Sequence, residues 1–289
     1  MNQMPPLPSL PARRNILTVL GASMAAGLCA CTNVTPPAAK ADAASATAFS
    51  EPPPPTSPMP LQAATPATVR FTPSPTPTKK ARKHYVPDVG LPPVENGLAP
   101  VITRILTKHP IVFLTIDDGG TKTAEMVALM AEYDYPVSIF LARAFIQDNP
   151  GFFTQFAAQG SLIENHTISH NLNMVQLNYA QQLAEITTMQ TYVKDQYGRL
   201  PTLFRPPGGA YSNLMRKAVA DAGLKAIITW EAKANAGQMD YQVGNSLRPG
   251  DIVLMHFRPE FAADLSAFRQ AQLAAGLEVV LLEDFLGVE

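Results

Sequence analysis

The stretch Ile111-Val112-Phe113-Leu114-Thr115-Ile116-Asp117-Asp118-Gly119-Gly120 decides the fold. Its first six residues carry no charge and are mostly β-branched or aromatic, the pattern of a strand covered on both faces. Two carboxylates and two glycines then end it. The chain downstream repeats the alternation. Met126, Leu129 and Met130 at helical spacing predict a helix over 123–133, followed by a strand over 137–141 and a helix over 150–159 ending at Gly160. A strand over 161–165 precedes a long helix over 175–197 closed by Gly198, and Leu203-Phe204 leads into Arg205. A helix over 212–222 ends at Gly223, and strands at 225–230, 251–256 and 278–282 bracket a last helix over 260–275. Such alternation, without internal repeats, implies an α/β fold: a parallel sheet with covering helices, open or closed into a barrel.

Upstream the composition changes. Of 28 prolines in 289 residues, 20 fall in the first 100. That segment cannot pack a core, whereas the roughly 190 residues after it can. The expected organisation is a leader over 1–30, a tether over 31–100 and one catalytic domain over 101–289. Arg13-Arg14, an apolar run over 16–28 and the ending Leu28-Cys29-Ala30-Cys31 read as a secretory signal. The ending resembles a bacterial lipobox, which implies cleavage before Cys31, a lipid on its sulfur, and an exported protein anchored to the outer face of the cell membrane. Arg13-Arg14 with Asn15-Ile16-Leu17 also resembles a twin-arginine signal; an ordinary signal with a chance arginine pair is the alternative. The tether holds Pro52-Pro53-Pro54-Pro55 and Thr72-Pro73-Ser74-Pro75-Thr76-Pro77, a composition expected to stay disordered and extended. As polyproline it reaches about 200 Å, as a flexible coil about 45 Å, enough to lift a domain into a surrounding polymer layer. The basic run from Lys79 to Lys83 reads first as solvated linker, otherwise as a contact with anionic polymer or headgroups.

Composition also excludes. A formal net charge of −1 argues against nucleic acid as a partner. Cys29 and Cys31 are the only cysteines, so the domain is no disulfide scaffold. No apolar run after residue 30 is long enough for an ordinary transmembrane helix.

In folds of this kind reacting groups gather where strands end. Asp117 and Asp118 repel each other at the mouth of an apolar strand unless a cation or basic group intervenes. The strand at 161–165 runs into His166-Thr167-Ile168-Ser169-His170, whose two imidazoles can converge on one ion if the segment makes a helical turn. One aspartate and two histidines form a three-ligand set with positions left for water. Arg205 and His256 follow two further strands. Each piece alone has a plainer reading: Asp-Asp-Gly and Pro-Pro-Gly-Gly are common turns, and the histidines can be ordinary loop or core residues. Their order and spacing change the balance.

Taken together these motifs resemble the polysaccharide deacetylases of carbohydrate esterase family 4, the NodB-like domain, across essentially all of 101–289. The first family motif corresponds to Thr115-Ile116-Asp117-Asp118-Gly119, the second to His166-Thr167-Ile168-Ser169-His170, the third to Arg205-Pro206-Pro207-Gly208-Gly209 and the fifth to Leu254-Met255-His256. The resemblance implies a deformed (β/α) barrel with fewer than eight full units, behind the disordered Pro-rich linker. It also implies a divalent metal, zinc first among candidates, on Asp118, His166 and His170. By the same resemblance Asp117 is the general base, His256 the general acid, and Arg205 the partner that keeps Asp117 ionised. The Gly208 N–H faces the oxyanion and Leu254 lines the acetyl pocket. Trp230, the only tryptophan, either stacks on a sugar or lines the acetyl pocket at this site, or belongs to the core. The fourth motif, an Asp-x-x-Asp-Trp-like stretch that tunes the acid histidine, is absent: Glu231-Ala232-Lys233-Ala234-Asn235 stands there, leaving Glu231 or Asp240 as substitutes. The expected activity is removal of N-acetyl groups from an extracytoplasmic glycan, peptidoglycan or chitin-like, by a monomer. A glycan O-acetyl esterase and a catalytically silent glycan-binding lipoprotein are the alternatives.

Overall fold

The computed structural model describes residues 83–288. The leader, Cys31, and the tether through residue 82 lie outside the described residues. Strand β1 (Val101–Ile102) is followed by β2 (Ile111–Asp118), helix α1 (Ala124–Tyr133), β3 (Ser138–Leu141), α2 (Arg143–Ile146), α3 (Thr154–Ala158) and β4 (Leu162–Asn165). Then come α4 (Tyr179–Tyr197), β5 (Leu203–Phe204), α5 (Asn213–Asp221), β6 (Ala226–Ile228), β7 (Ala232–Asn235) and β8 (Gln238–Tyr241). Strand β9 (Ile252–His256), α6 (Phe261–Ala274), β10 (Glu278–Val279) and α7 (Leu282–Leu286) complete the chain.

The sheet runs β1-β6-β5-β4-β3-β2-β9-β7-β8, parallel except for the β7–β8 hairpin, with β10 paired to the start of β2. A bridge between Arg104 and Asp251, just before β9, brings the β1 end back to β9. The Ile105 N–H donates to the Gly250 carbonyl at this seam, and a Cβ on Gly250 would stand 1.8 Å from the Ile105 carbonyl oxygen. Seven strands thus close a ring through that bridge, the deformed barrel of fewer than eight units that the family resemblance implied.

Strand periodicity places the site. Alternate residues of β2 face opposite sides. Val112, Leu114 and Ile116 pack outward with Met126 and Met130 of α1 and Phe268 of α6. Ile111 and Phe113 point into the barrel with Leu203, Ile228, Ile252 and Phe285. Continuing that inward face, Thr115 and Asp117 come next, and Asp117 pairs in register with His256 at the end of β9. Local signals fix the helices. Thr123 and Ser212 cap α1 and α5, and Asn178 with Gln181 forms a capping box that starts α4, which ends at left-handed Gly198.

Two expectations are corrected and two elements are added. Residues 83–100, assigned to the tether, pack on the barrel: Tyr85 is buried with the interior cluster, and the Asp88 carboxylate accepts from the Thr107 hydroxyl (2.6 Å) and the Lys108 N–H (2.8 Å). The domain's contacts therefore begin by Tyr85 rather than at 101. Residues 232–241 form a hairpin whose turn residues Ala236 and Gly237 both have positive φ, as a tight two-residue turn demands. The strand expected over 278–282 stops at Val279, because Leu282, Phe285 and Leu286 fit the barrel end as a helical stripe. Residues 143–146 form a helical turn that the sequence reading left out.

Glu164 and Glu283 are both buried inside the barrel. Glu164 accepts from Arg199 (2.8 Å) and from the Thr202 and Leu203 N–H groups (2.7 Å each), so it is the better satisfied anion. Glu283 takes only the Ser138 hydroxyl, at 2.6 Å. Burial, and then the neighbouring Glu164 charge, push the Glu283 carboxyl well above the usual carboxylate range. A carboxyl that binds its proton more tightly when folded stabilises fully below its unfolded pKa, and that contribution is lost as pH rises through the folded value. Glu283→Gln cannot titrate. Its melting midpoint is expected to exceed wild type by about 2–4 °C at pH 8, the shift that ~1 kcal/mol makes in a domain of this size. The gap should close towards pH 4.5; a gap independent of pH, followed by circular dichroism melts, contradicts the assignment.

Candidate functional site

The turn after β2 builds the acidic half. Asp118 has φ 77° and Gly119 φ 93°, so the chain reverses there and strand alternation ends. Both carboxylates consequently face the same mouth. A Cβ on Gly119 would lie 2.4 Å from Ile146 Cγ2, which makes this glycine a steric requirement. Left-handed backbone at a non-glycine residue costs about 1–3 kcal/mol and concentrates where geometry matters. Of the six such residues among those described, Asp118, Thr167 and His170 lie in this site.

The histidine half follows β4. The helical turn expected to bring His166 and His170 together does not form; a compact loop does so instead. The Asn165 carboxamide accepts the Thr167 N–H (3.0 Å), and the Thr167 hydroxyl accepts the His170 N–H (3.1 Å). Glu185 of α4 accepts from Ile168 (3.2 Å) and Ser169 (3.0 Å). Asp118 Oδ1 lies 3.1 Å from His170 Nε2 and 3.5 Å from His166 Nε2. Asp118, His166 and His170 offer ligand atoms all within 4.8 Å of one another.

That set fits a divalent cation chemically. His166 Nδ1 lies 2.7 Å from the Arg205 carbonyl oxygen, which can only accept, so Nδ1 carries a hydrogen and Nε2 is the nitrogen that faces Asp118, the one a cation would take in place of a proton. Burial pushes the Asp118 carboxyl up, but hydrogen bonds from His166 and His170 outweigh it and hold the group far below the carboxylate range. For His166, burial pulls down and the Asp117 and Asp118 carboxylates pull up more strongly.

Arg205 organises the second carboxylate. It is fully buried, with Nη1 2.7 Å from Asp117 Oδ1 and 2.8 Å from the Thr115 hydroxyl. Its other donors reach the Ile228 and Thr229 carbonyls at 3.1 Å, and the guanidinium lies 4.4 Å from the Phe140 ring centre. Asp117 Oδ2 stays free of that grip, 3.7 Å from His166 Nε2. An aspartate tied at one oxygen and open at the other is positioned to exchange a proton.

His256 sits opposite Asp117, half-buried, and makes no side-chain hydrogen bond among the described residues. Burial lowers its pKa, and with Arg258 and His166 outweighs the upward pull of the Asp117 and Asp118 carboxylates. Neither proposed substitute carboxylate is aimed at it: Glu231 lies 2.6 Å from Arg248, and Asp240 lies 3.2 Å from Lys233. Leu254, buried and two residues before His256 on the same face, pairs with Thr115. Trp230 is half-buried. Its ring lies against Gly209, where a Cβ would be 2.6 Å from Cη2, and faces Arg205 at 5.8 Å. Gly208 is exposed with φ 69°, beside Leu172. Asp117, Asp118, His166, His170 and Arg205 thus come together at one mouth, with His256 in register beside Asp117, whereas Gly208 makes no contact with them among the described residues. Sequence reasoning missed Thr115 as a buried anchor, Asn165 and Glu185 as loop supports, and Arg258, whose Nη2 is 3.8 Å from Asp118 Oδ2. Only Thr115 had a signal, as the first residue of its motif.

Comparisons with known proteins agree with this geometry. Residues 105–227 match the model of the polysaccharide deacetylase family. An uncharacterised protein of Streptomyces coelicolor is 35% identical over 195 residues, 65% of this chain and 78% of that relative. A peptidoglycan-N-acetylglucosamine deacetylase of Bacillus cereus is 28% identical over 166 residues, 54% of this chain and 76% of its own length. Among solved structures, a family 4 carbohydrate esterase pseudoenzyme of Bacillus anthracis superposes with a TM-score of 0.55 at 19% identity, covering 66% of this chain and 70% of that one. That likeness bears on the fold alone.

Proposed function

The chain belongs to the polysaccharide deacetylase family, and we propose that it is a metal-dependent hydrolase removing N-acetyl groups from an extracytoplasmic glycan, peptidoglycan or chitin-like. The observation that carries this reading is Asp117: held at Oδ1 by a buried Arg205, beside the ligand triad, with Oδ2 outside hydrogen-bond length of any donor among the described residues. A protein that only bound glycan would need neither that carboxylate nor His256.

Asp118, His166 and His170 would hold the cation, zinc first among candidates. A divalent ion bound there supplies Lewis acidity and makes water more acidic. Asp117 Oδ2 takes the proton of the attacking water, while Arg205 holds its other oxygen in place. The Gly208 N–H offers a fixed donor to the developing oxyanion, a contribution worth about 3 kcal/mol in comparable sites. Leu254 and Trp230 enclose the acetyl methyl. An amine leaves poorly unless protonated, and His256, in register beside Asp117 on the adjacent strand, delivers that proton.

The same reading places the protein outside the cytoplasm, as a monomer held by a lipid on Cys31 with the proline-rich segment as its tether. The Bacillus cereus relative's name supports an N-acetylglucosamine-bearing glycan. An O-acetyl esterase is the second reading, favoured by one observation: among the described residues no carboxylate hydrogen-bonds to His256, and an ester's alcohol needs less help to leave. Acetate release by the full chain from matched N- and O-acetylated glycans, with chelator and then with added zinc, tests both. The proposal expects chelation to abolish release from N-acetylated glycans and zinc to restore it. Release confined to O-acetyl substrates selects the esterase, and release indifferent to chelator removes the metal.

A further inference from the structure

Arg258 is the site's unassigned cation. Its backbone is fixed: Phe257 is buried, the Arg258 N–H donates to the His256 carbonyl (3.0 Å), and its own carbonyl accepts from Phe261 at the start of α6 (3.0 Å). Its side chain is 47% exposed, and among the described residues its one ion partner is Asp118 Oδ2 at 3.8 Å, beyond hydrogen-bond length. Arg205, in contrast, spends four hydrogen bonds on the protein. The guanidinium of Arg258 therefore presents its planar fork of N–H donors to the mouth.

Charge balance gives that fork a use. Asp117, Asp118, Arg205 and Arg258 form the carboxylate–guanidinium pairs of the mouth, two charges of each sign. A divalent cation on the triad adds two positive charges that these side chains do not offset. With it present, Arg258 is no longer needed to neutralise Asp118, and the mouth as a whole favours an anion. A bidentate guanidinium fork carried on that fixed backbone matches a carboxylate. We propose that Arg258 selects N-acetylated glycans that carry a carboxylate near the acetamido group, a specificity that rests on the deacetylase reading of this site. Two sources share the chemistry: a lactyl ether on the same ring, or a uronic acid on the adjoining one.

The test uses the zinc-loaded full chain and two acidic probes, an oligosaccharide containing N-acetylmuramic acid and one alternating N-acetylglucosamine with glucuronic acid. Each is paired with its neutral methyl ester. The quantity read is kcat/KM for acid over ester. Wild type should favour at least one acid, and Arg258→Gln should lower that ratio by about 10- to 100-fold, the loss expected for a charge-assisted pair. Arg258→Lys should retain part of it. The pair whose ratio falls identifies the carboxylate's source. A ratio unchanged in Arg258→Gln for both pairs, or no acid preference in wild type, overturns the proposal. If wild type releases no acetate from any probe, the deacetylase reading fails separately. Calorimetric titration of the same pairs then decides: tighter binding of acid than ester, lost in Arg258→Gln, sustains the inference, and equal binding ends it.

Discussion

Asp117→Asn is expected to lower kcat for acetate release by about 10²–10⁴-fold, the range for loss of a positioned general base, with metal content near wild type. The substitution is close to isosteric, and the carboxamide oxygen still accepts from Arg205 Nη1, which is 2.7 Å from Asp117 Oδ1. What disappears is the negative charge. Arg205 is then a fully buried cation without its counter-ion, so the variant also loses stability, on the order of a few kcal/mol. The guanidinium keeps its bonds to Thr115, Ile228 and Thr229 and its place against Phe140, which should hold its position. Kinetics well below the melting midpoint, with zinc measured on the same sample, separate the two effects. Metal lost in proportion to activity would make Asp117 a ligand and leave the site without a base.

How much of this was legible beforehand follows from which forces are local. The β2 run was readable because a strand covered on both faces must be apolar throughout, and Asp117 and Asp118 stood out because they break that rule at its end. His166 and His170 were readable as a pair, but not the loop joining them. Their convergence depends on Glu185, seventeen positions beyond Ile168, and on left-handed backbone at Thr167, which a β-branched residue adopts only under tertiary compulsion. The hairpin over 232–241 escaped notice because Ala236-Gly237 lacks the Asn-Gly signature and its strands are short. Residues 83–100 were read by proline content, which says nothing of Tyr85 or Asp88 finding partners on the barrel. The missing fourth motif was legible as an absence. Only coordinates could show that Glu231 and Asp240 are already engaged with Arg248 and Lys233.

Removing a ligand is the other large effect, and the choice of residue decides what it proves. His166→Ala deletes a buried ring and leaves the Arg205 carbonyl without its donor, so lost activity there mixes ligation with packing. His170 is the cleaner target: its side chain is 17% exposed and its ring rests on Phe145 at the rim. Its φ of 55° adds a condition, because alanine at a left-handed position introduces strain of its own. Asparagine tolerates that backbone and is too short to put a donor where Nε2 stood. His170→Asn is therefore expected to keep the fold, judged by its melting midpoint in the presence of chelator, while zinc affinity falls by at least about 100-fold, beyond the upper end of what loss of an outer-shell partner costs. Acetate release should fall with it and recover partly in excess zinc, since Asp118 and His166 still offer two donors. The divergence between a preserved apo midpoint and a lost metal is what a structural role for His170 cannot produce. Wild-type zinc binding and turnover in His170→Asn would remove the triad, and with it the reason for Asp117 to stand beside it.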